Sequence, residues 1–289
     1  MDVNVYVAPG ELGSFSIPGT GIEVAITNSL ITTVLVMGAL LLVGVLIARR
    51  ATLVPSHIQA VFELLTEFML NLVESAAGRT FARRIFPLVG GAFIFILFAN
   101  YSGLLPGMKT IFWYGDNPET YSLLFRAPTA DLNMTLALAV VTFTAVQIAG
   151  VASHGVGGRL KHMLAGPWWI AWLLFLIEIV SELSRIISLS FRLFGNIFAG
   201  EVLLGVMYTL ANAIKISVVG LLIPVVFLYL EVLFGAVQAL VFALLTLVYI
   251  VLAAAHDDNH EHEEHGHHES HQTDETSGQA QPGASASGD

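Results

Sequence analysis

The sequence predicts an all-α polytopic membrane protein, on the grounds of its composition, its uncharged stretches of spanning length and the placement of its charges. Of the 289 residues, 55% are hydrophobic and 12% are charged, and the mean hydropathy is +0.76. Soluble domains usually contain about 25% charged residues. This shortage of charge argues against a soluble enzyme and against a nucleic-acid-binding protein.

Uncharged stretches long enough to cross a membrane recur along the chain. A hydrocarbon core of about 30 Å needs about 20 mostly uncharged residues in a helix. Residues 30–48, 85–108 and 132–153 meet that requirement. Two longer regions, 163–214 and 216–255, are apolar but contain isolated charges. Each unsatisfied backbone group in hydrocarbon costs several kcal/mol, so all five regions are predicted to be helical.

The two longer regions allow two interpretations. About 50 residues of helix would extend roughly 75 Å, which is too long for one upright crossing. Residues 163–214 are therefore either a hairpin of two spans, with Gly195, Gly200 or Gly205 at the break, or one strongly inclined helix. The same question applies to residues 216–255, where Pro224 is the expected site of a kink.

Residues 57–75 are predicted to form an amphipathic helix. Polar side chains recur there at helical spacing opposite an apolar face, with Glu63, Glu67, Asn71 and Glu74 on one side and Val61, Leu65, Met69 and Leu72 on the other. This pattern is typical of a helix lying at the membrane interface. A helix packed on the rest of the protein is the alternative.

The basic residues predict the orientation in the membrane. Three of them, Lys109, Arg126 and Lys215, lie in connections on one side of the predicted spans. Seven lie on the other side: Arg49, Arg50, Arg79, Arg83, Arg84, Arg159 and Lys161. Because the side richer in Lys and Arg is normally cytoplasmic, five crossings would place the amino terminus outside and the carboxyl terminus in the cytoplasm.

The carboxyl-terminal residues 256–289 differ from the rest of the chain. They hold nine of the 22 acidic residues, none of the 12 basic ones and seven of the ten histidines. Without an apolar period, they are predicted to be a disordered, acidic, His-rich tail. Metal binding is the alternative, although residues 262–265, HEEH, lack the spacing of a zinc-binding helix.

Ionisable groups within the apolar region 163–214 are the first candidate functional residues. Such groups cost about 2.5–3.5 kcal/mol each on insertion scales. The polar residues follow one another at helical spacing: Glu178, Glu182, Arg185, Ser188, Arg192 and Asn196. At 100° per residue they predict one polar stripe along an apolar helix. Local neutralisation of Glu182 by Arg185 is an alternative reason for that pair.

Arg192 has no acidic residue three or four positions away in the sequence. A guanidinium is never deprotonated in proteins, so a permanent cation is predicted in the membrane without a local partner. Its counter-ion is expected from another helix or another subunit. A pair with Glu231 that serves only folding is the alternative.

Two further acidic residues stand apart from the stripe. Glu201 follows Arg192 by nine residues, which is half a turn around a continuous helix. Glu231 is the one charged residue of 216–255, with Gln238 on nearly the same face. A protonated, purely structural Glu231 is an alternative. Acid-lined paths that are offset and separated by an arginine suit a proton transporter, because a continuous path would dissipate the gradient.

Three other classes of membrane protein compete with this interpretation. A self-contained cation antiporter often contains internal repeats, and none is apparent here. An intramembrane hydrolase would need a serine near a histidine, but His57, His154 and His162 lie at the ends of spans. A non-transporting assembly factor would leave the polar stripe unexplained.

Residues 188–201, SLSFRLFGNIFAGE, resemble the a-subunit family of F-type ATP synthases. Similar support comes from NYSGLLP at 100–106, PTADLN at 128–133 and QALVFALLTLVY at 238–249. We expect an external segment at 1–25, a membrane domain at 26–255 and the tail at 256–289. The resemblance covers about residues 25–255, so the first and the last of these segments fall outside it. The resemblance implies about five membrane-crossing helices plus one interfacial amphipathic helix, with the last two helices long and strongly inclined.

The family resemblance implies a proton-translocating stator subunit of the F0 sector, in a bacterial inner membrane. Two offset half-channels would lead to a ring of c subunits and couple ion flow to rotation and ATP synthesis. The b subunits of the peripheral stalk, the lipid bilayer and, indirectly, the F1 sector are the other expected partners. No nucleotide chemistry, cofactor, metal or nucleic acid is expected, and the chain contains no GxxxxGK[ST] phosphate-binding motif and no cysteine.

Several residues match positions of functional residues in that family. Arg192 matches the essential arginine, Asn196 a nearby asparagine and Gln238 the glutamine that faces the arginine. Glu201 matches the acid of the external half-channel, and Glu231 a position where some members have histidine. Glu178 and Ser188 match residues of the cytoplasmic half-channel, to which we also assign Glu182.

Overall fold

The structure, a computed structural model, describes residues 10–16, 23–50, 55–105, 107–108, 111–114, 121–163, 168–213 and 217–254. Within these ranges the chain forms six helices: α1 (Asn28–Arg49), α2 (His57–Ala77), α3 (Arg79–Ser102), α4 (Leu132–Met163), α5 (Trp168–Ala213) and α6 (Ser217–Ala254). The predicted all-α polytopic fold class is confirmed. The tail at 256–289 lies outside the described residues.

Short elements that were not predicted from the sequence precede α1 and lie between α3 and α4. Strands β1 (Glu11–Ser16) and β2 (Glu23–Thr27) form one antiparallel hairpin, and β3 (Phe112–Tyr114) and β4 (Tyr121–Leu123) form another. A single 3₁₀ turn at Pro128–Ala130 precedes α4. These elements lie outside the predicted spans and leave the membrane part helical.

Four helices among the described residues are long and apolar enough to cross a membrane: Asn28–Arg49, Arg79–Ser102, Leu132–Ser153 and Pro224–Ala254. Each overlaps a predicted span. The α4 helix is assigned as far as Met163, but Gly155 has a φ of +72° and interrupts it. A positive φ lies outside the right-handed helical region, and Gly155 can adopt it because glycine has no Cβ. The regular helix therefore ends there, close to the predicted residue 153.

The two longest helices decide between the hairpin and the inclined helix. The α5 helix contains 46 residues and is continuous through Gly195, Gly200 and Gly205. The α6 helix contains 38 residues and continues through Pro224. At 1.5 Å per residue they extend about 69 Å and about 57 Å. Such lengths exceed the hydrocarbon core, so both helices must be strongly inclined to stay within it.

The α2 helix combines the two alternatives that its sequence left open. Met69 and Val73 are fully buried and belong to the same apolar core as α3 residues such as Val89. Other apolar side chains of α2 are exposed: Ile58, Val61, Leu64 and Phe68. The helix therefore packs on the protein with one side and presents a second apolar stripe outward.

The main core lies among α3, α4, α5 and α6. It includes the fully buried side chains of Ile96, Val146, Leu193 and Phe242, one from each helix. The 3₁₀ turn packs on α5 through a smaller buried cluster. This arrangement puts the polar side chains of α5 between α6 on one side and the loop before α4 on the other.

Candidate functional site

Polar side chains meet where α5 and α6 pack antiparallel to each other. We call this line of contacts the α5–α6 seam. Three contacts define it, each at a different level along the two helices. The Arg185 guanidinium carbon lies 4.5 Å from the centre of the Tyr249 ring, and Asn196 Nδ2 donates to Gln238 Oε1 at 3.4 Å. Glu231 Oε1 lies 3.1 Å from the point that a Cβ at position 200, now Gly200, would occupy. The three levels place polar groups along most of the contact between the two helices.

At one end of the seam, Glu231 approaches the backbone of α5. The glutamate is buried, and its carboxyl group occupies space that a side chain at position 200 would need. Gly200 permits this approach because it has no Cβ. Glu231 is thereby placed beside the residue that precedes Glu201, so the two acids that stand apart from the stripe come from neighbouring positions of two helices.

Arg192 lies between the Arg185 level and the Asn196 level of the seam, with its side chain exposed. Among the described residues it forms no ion pair. Glu231 sits about two turns further along α5, at the level of Gly200, so the alternative of an Arg192–Glu231 pair is wrong. The guanidinium charge must be compensated by a group from outside the described part of the chain.

Small residues lie in line with Arg192 along its own face of α5. Ser188 and Ala199 are exposed one turn before it and two turns after it, and Gly195 is partly exposed. Small residues allow the backbones of two membrane helices to approach closely. The small residues in line with Arg192 leave room for another helix to approach this face of α5.

Towards the other end of the seam, Glu182 is buried and paired with Arg185. Arg185 Nη1 donates to Glu182 Oε1 at 3.0 Å, so this acid is neutralised on its own helix, as the alternative proposed. Both residues line a crevice with Thr142 and Tyr249. Ser188 is instead exposed, and Glu178 is partly exposed. The polar stripe thus follows the boundary between the buried and the exposed faces of α5.

Glu201 lies on the opposite side of α5 from Arg192, as its spacing predicts for a continuous helix. Its Oε2 atom is 3.4 Å from Nε of Arg126, and both side chains are largely buried, at 15% and 7% exposure. The guanidinium carbon of Arg126 also lies 5.9 Å from the centre of the Phe198 ring. Glu201 is thus held by a cation from the loop before α4.

Arg126 is the residue of this site that sequence reasoning missed. It was counted only as a basic residue of an external connection, where the other two, Lys109 and Lys215, lie outside the described residues. Its neighbours offered a signal, because LLFRAP at 123–128 places one charge among apolar residues. A charged residue in such a run is rarely buried unless it is paired.

Two of the segments that carried the family resemblance meet at one asparagine. Asn100 Nδ2, from α3, donates to the carbonyl oxygen of Gly235 in α6 at 2.9 Å. Its Oδ1 accepts a hydrogen bond from Thr129 Oγ1 in the 3₁₀ turn at 2.6 Å. One buried side chain therefore links α3, α6 and the loop that contains Arg126.

The described residues contain no group of three or more His, Cys, Asp or Glu side chains that could hold a metal ion. The histidines of the tail lie outside them. The chemistry that the described site offers is therefore that of carboxylates, amides and guanidinium groups.

Comparison with known proteins gives a consistent result. The family model described as ATP synthase A chain matches residues 30–251, which include every candidate residue above. A protein named ATP synthase subunit a from Helicobacter hepaticus is 37% identical over 179 residues, covering 62% of this chain and 72% of that protein. A protein of the same name from Desulfosudis oleivorans is 37% identical over 184 residues, covering 64% of this chain and 72% of that protein. Another, from Syntrophobacter fumaroxidans, is 34% identical over 180 residues, covering 62% of this chain and 67% of that protein.

Proposed function

Because this chain belongs to the ATP synthase A chain family, we propose that it is the proton-translocating stator subunit of the F0 sector of an F-type ATP synthase. It is a multi-pass membrane protein. The observation that supports the proposal most strongly is Arg192, a permanent cation exposed on an apolar helix, with acids on two different sides of it.

We propose that a ring of c subunits passes the exposed face of α5. Each c subunit is expected to present a carboxyl group in mid-membrane, which must be neutral while it faces lipid because burying an unpaired carboxylate is prohibitive. Beside Arg192 the opposite charge stabilises the ionised form, so the proton leaves. The absence of an ion pair at Arg192 among the described residues, and the small residues in line with it, support this assignment.

The acids on the two sides of Arg192 would form two half-channels. Glu201 and Glu231 would line the path from outside, and Glu178, Glu182 and Ser188 the path to the cytoplasm. Arg192 and the hydrogen bond between Asn196 and Gln238 lie between these groups along α5. A proton would then have to travel with the ring from one path to the other.

This separation would couple proton flow to rotation. The membrane potential contributes about 2.3 kcal/mol per charge per 100 mV, which biases the direction of ring movement. Rotation would drive ATP synthesis in the F1 sector, and the b subunits would hold this chain stationary. We further propose a bacterial inner membrane, an external segment at 1–25, a membrane domain at 26–255 and a solvated tail at 256–289.

The test is the substitution Arg192→Ala in the complete complex. ATP-driven proton uptake into inverted membrane vesicles, followed by fluorescence quenching with and without Na⁺, should be abolished, while the c ring and the F1 subunits still co-purify. Arg192→Lys should also pump poorly, because an ammonium buried between this chain and the ring can lose its proton.

Arg79→Gln is a matched control for these substitutions. Arg79 is 87% exposed and pairs only at the surface with Glu74 at 3.7 Å, so its loss should leave pumping unchanged. Normal pumping by the Arg192→Ala complex would refute the proposed function.

A further inference from the structure

We infer that Arg126 is a positioning residue of the outer half-channel. Through a buried ion pair, Arg126 holds the Glu201 carboxylate at the level of Glu231. This inference rests on the proposed function and adds to it a residue from outside the two long helices. Arg126 cannot itself relay a proton, because a guanidinium stays protonated in proteins. Any effect that it has on transport must act through its neighbours.

The backbone of Arg126 is fixed by three other parts of the chain. Its N–H donates to Oγ1 of Thr32 in α1 at 3.2 Å. The next residue, Ala127, packs against the end of α3. Its Cβ is 2.6 Å from the point that a Cβ would occupy if Gly103 had a side chain. Ala127 also belongs to a buried cluster with Ile197 of α5. The loop is therefore held firmly enough to set the position of the Arg126 side chain.

The guanidinium of Arg126 then reaches α5 at two adjacent turns. Its Nε atom lies 3.4 Å from Glu201 Oε2, and its guanidinium carbon lies 5.9 Å from the centre of the Phe198 ring, one turn earlier. The planar group is therefore oriented by an aromatic face as well as by the carboxylate. Both charged side chains are largely buried, so each depends on the other for compensation.

Two buried donors indicate that water reaches this part of the site. Among the described residues, Arg126 Nη1 and Gln238 Nε2 have no hydrogen-bond partner. Nearly all buried polar groups in proteins are hydrogen-bonded, and those without a protein partner usually bind ordered water. Arg126 lies at Glu201, and Gln238 lies further along the seam towards Arg192. Water bound to both would extend a polar path from Glu201 towards Arg192.

The experiment compares ATP-driven proton uptake of complete complexes containing Arg126→Gln, Arg126→Lys, Glu201→Gln and the double variant Arg126→Gln/Glu201→Gln. We expect Arg126→Gln to slow uptake at least about tenfold, because it leaves a buried carboxylate without its cation. Arg126→Lys should retain more activity than Arg126→Gln, since it keeps the charge while losing the planar geometry. Arg79→Gln, which removes an exposed pair, is the control.

The double variant separates positioning from a general role in folding. If Arg126 acts through Glu201, Arg126→Gln will cause no further loss of uptake in the Glu201→Gln background. Multiplication of the two losses, or normal uptake by Arg126→Gln, would overturn the inference. If Arg126→Gln fails to assemble, the double variant and Arg126→Lys still decide, because neither leaves a buried carboxylate without a cation.

The same set of variants distinguishes this inference from the proposed function. If Arg192→Ala pumps normally, the proposed function fails. If Arg192→Ala and Glu201→Gln are defective and Arg126→Gln pumps normally, only the role of Arg126 is refuted.

Discussion

Charged side chains of α5 differ in how their charge is compensated, and this difference separates their proposed roles. Glu182 and Glu201 each have an arginine of the same chain within 3.4 Å. Arg192, a permanent cation, has no ion-pair partner among the described residues. Glu182 pairs within its own helix, whereas the partner of Glu201 comes from a separate loop.

From this difference we predict that Glu201→Gln slows proton transport more than Glu182→Gln. The amide at 201 would remove the ionisable group of the outer path, and we expect a loss of about tenfold or more, since a positioned proton-transfer group contributes at least that much. An amide at 182 can still accept the hydrogen bond from Arg185 Nη1. Initial rates of ATP-driven uptake measure both effects.

Glu74→Gln is the matched control for that comparison, because Glu74 belongs to an ion pair whose arginine is exposed. It should pump at the unaltered rate. A larger loss for Glu182→Gln than for Glu201→Gln would mean that the two half-channels are assigned wrongly.

Among the secondary-structure elements, two close contacts are possible because glycine has no side chain. Gly200 admits the carboxyl group of Glu231, and Gly103 admits Ala127. The second contact matters for the site, because Ala127 adjoins Arg126. The fit of the loop against α3 therefore helps to position a side chain that contacts α5.

We predict that Gly103→Ala destabilises the protein by overpacking this contact. The backbone of Gly103 is in the right-handed helical region, so alanine meets no conformational penalty there. The added Cβ would lie 2.6 Å from the Cβ of Ala127, and overpacking of this kind typically costs about 1–3 kcal/mol. Thermal unfolding of the complex in detergent should show a lower midpoint for this chain.

Gly44→Ala, in α1, is the control because nothing lies within 4 Å of its new Cβ. Alanine is also the better helix former, so the unfolding midpoint should stay the same or rise. Equal midpoints for Gly103→Ala and Gly44→Ala would contradict the proposed contact.

For the whole molecule, the asymmetry of basic residues predicts which side of the membrane each terminus occupies. Arg126, one of the three bases on the predicted external side, is buried in an ion pair, so it adds no charge to the loop surface there. The count of basic residues in the connections, seven against three, still favours the opposite side as cytoplasmic. We therefore keep the amino terminus outside and the carboxyl terminus in the cytoplasm as the prediction.

Single introduced cysteines test this orientation directly, because the chain contains none. A membrane-impermeant maleimide should label Ser14→Cys, in β1, only in right-side-out vesicles. It should label Ser277→Cys, in the tail, only in inverted ones. Ser75→Cys, exposed on α2, should behave like the tail position. The opposite pattern at these positions would reverse the topology.

The membrane-crossing helices could be predicted from the sequence because their cause is local. Uncharged stretches of spanning length must satisfy their own backbone hydrogen bonds in lipid, so helix is the outcome. The position of Glu201, half a turn from Arg192, could also be predicted from the sequence, because it depends only on the helix being continuous. The family resemblance of residues 188–201 likewise rests on one continuous stretch of sequence. Local reasoning left open whether the long regions contain a break, and the structure shows that α5 and α6 are each one continuous helix.

Contacts between side chains far apart in the chain could not be predicted from the sequence. The ion pair of Arg126 with Glu201, the approach of Glu231 to Gly200 and the hydrogen bond of Asn196 to Gln238 join residues far apart in the chain. Hydrophobic patterns cannot predict such contacts in a membrane, because lipid tails are as apolar as the faces of the helices. The choice of partner depends instead on close packing and on pairing of buried polar groups, which exist only once the helices are assembled.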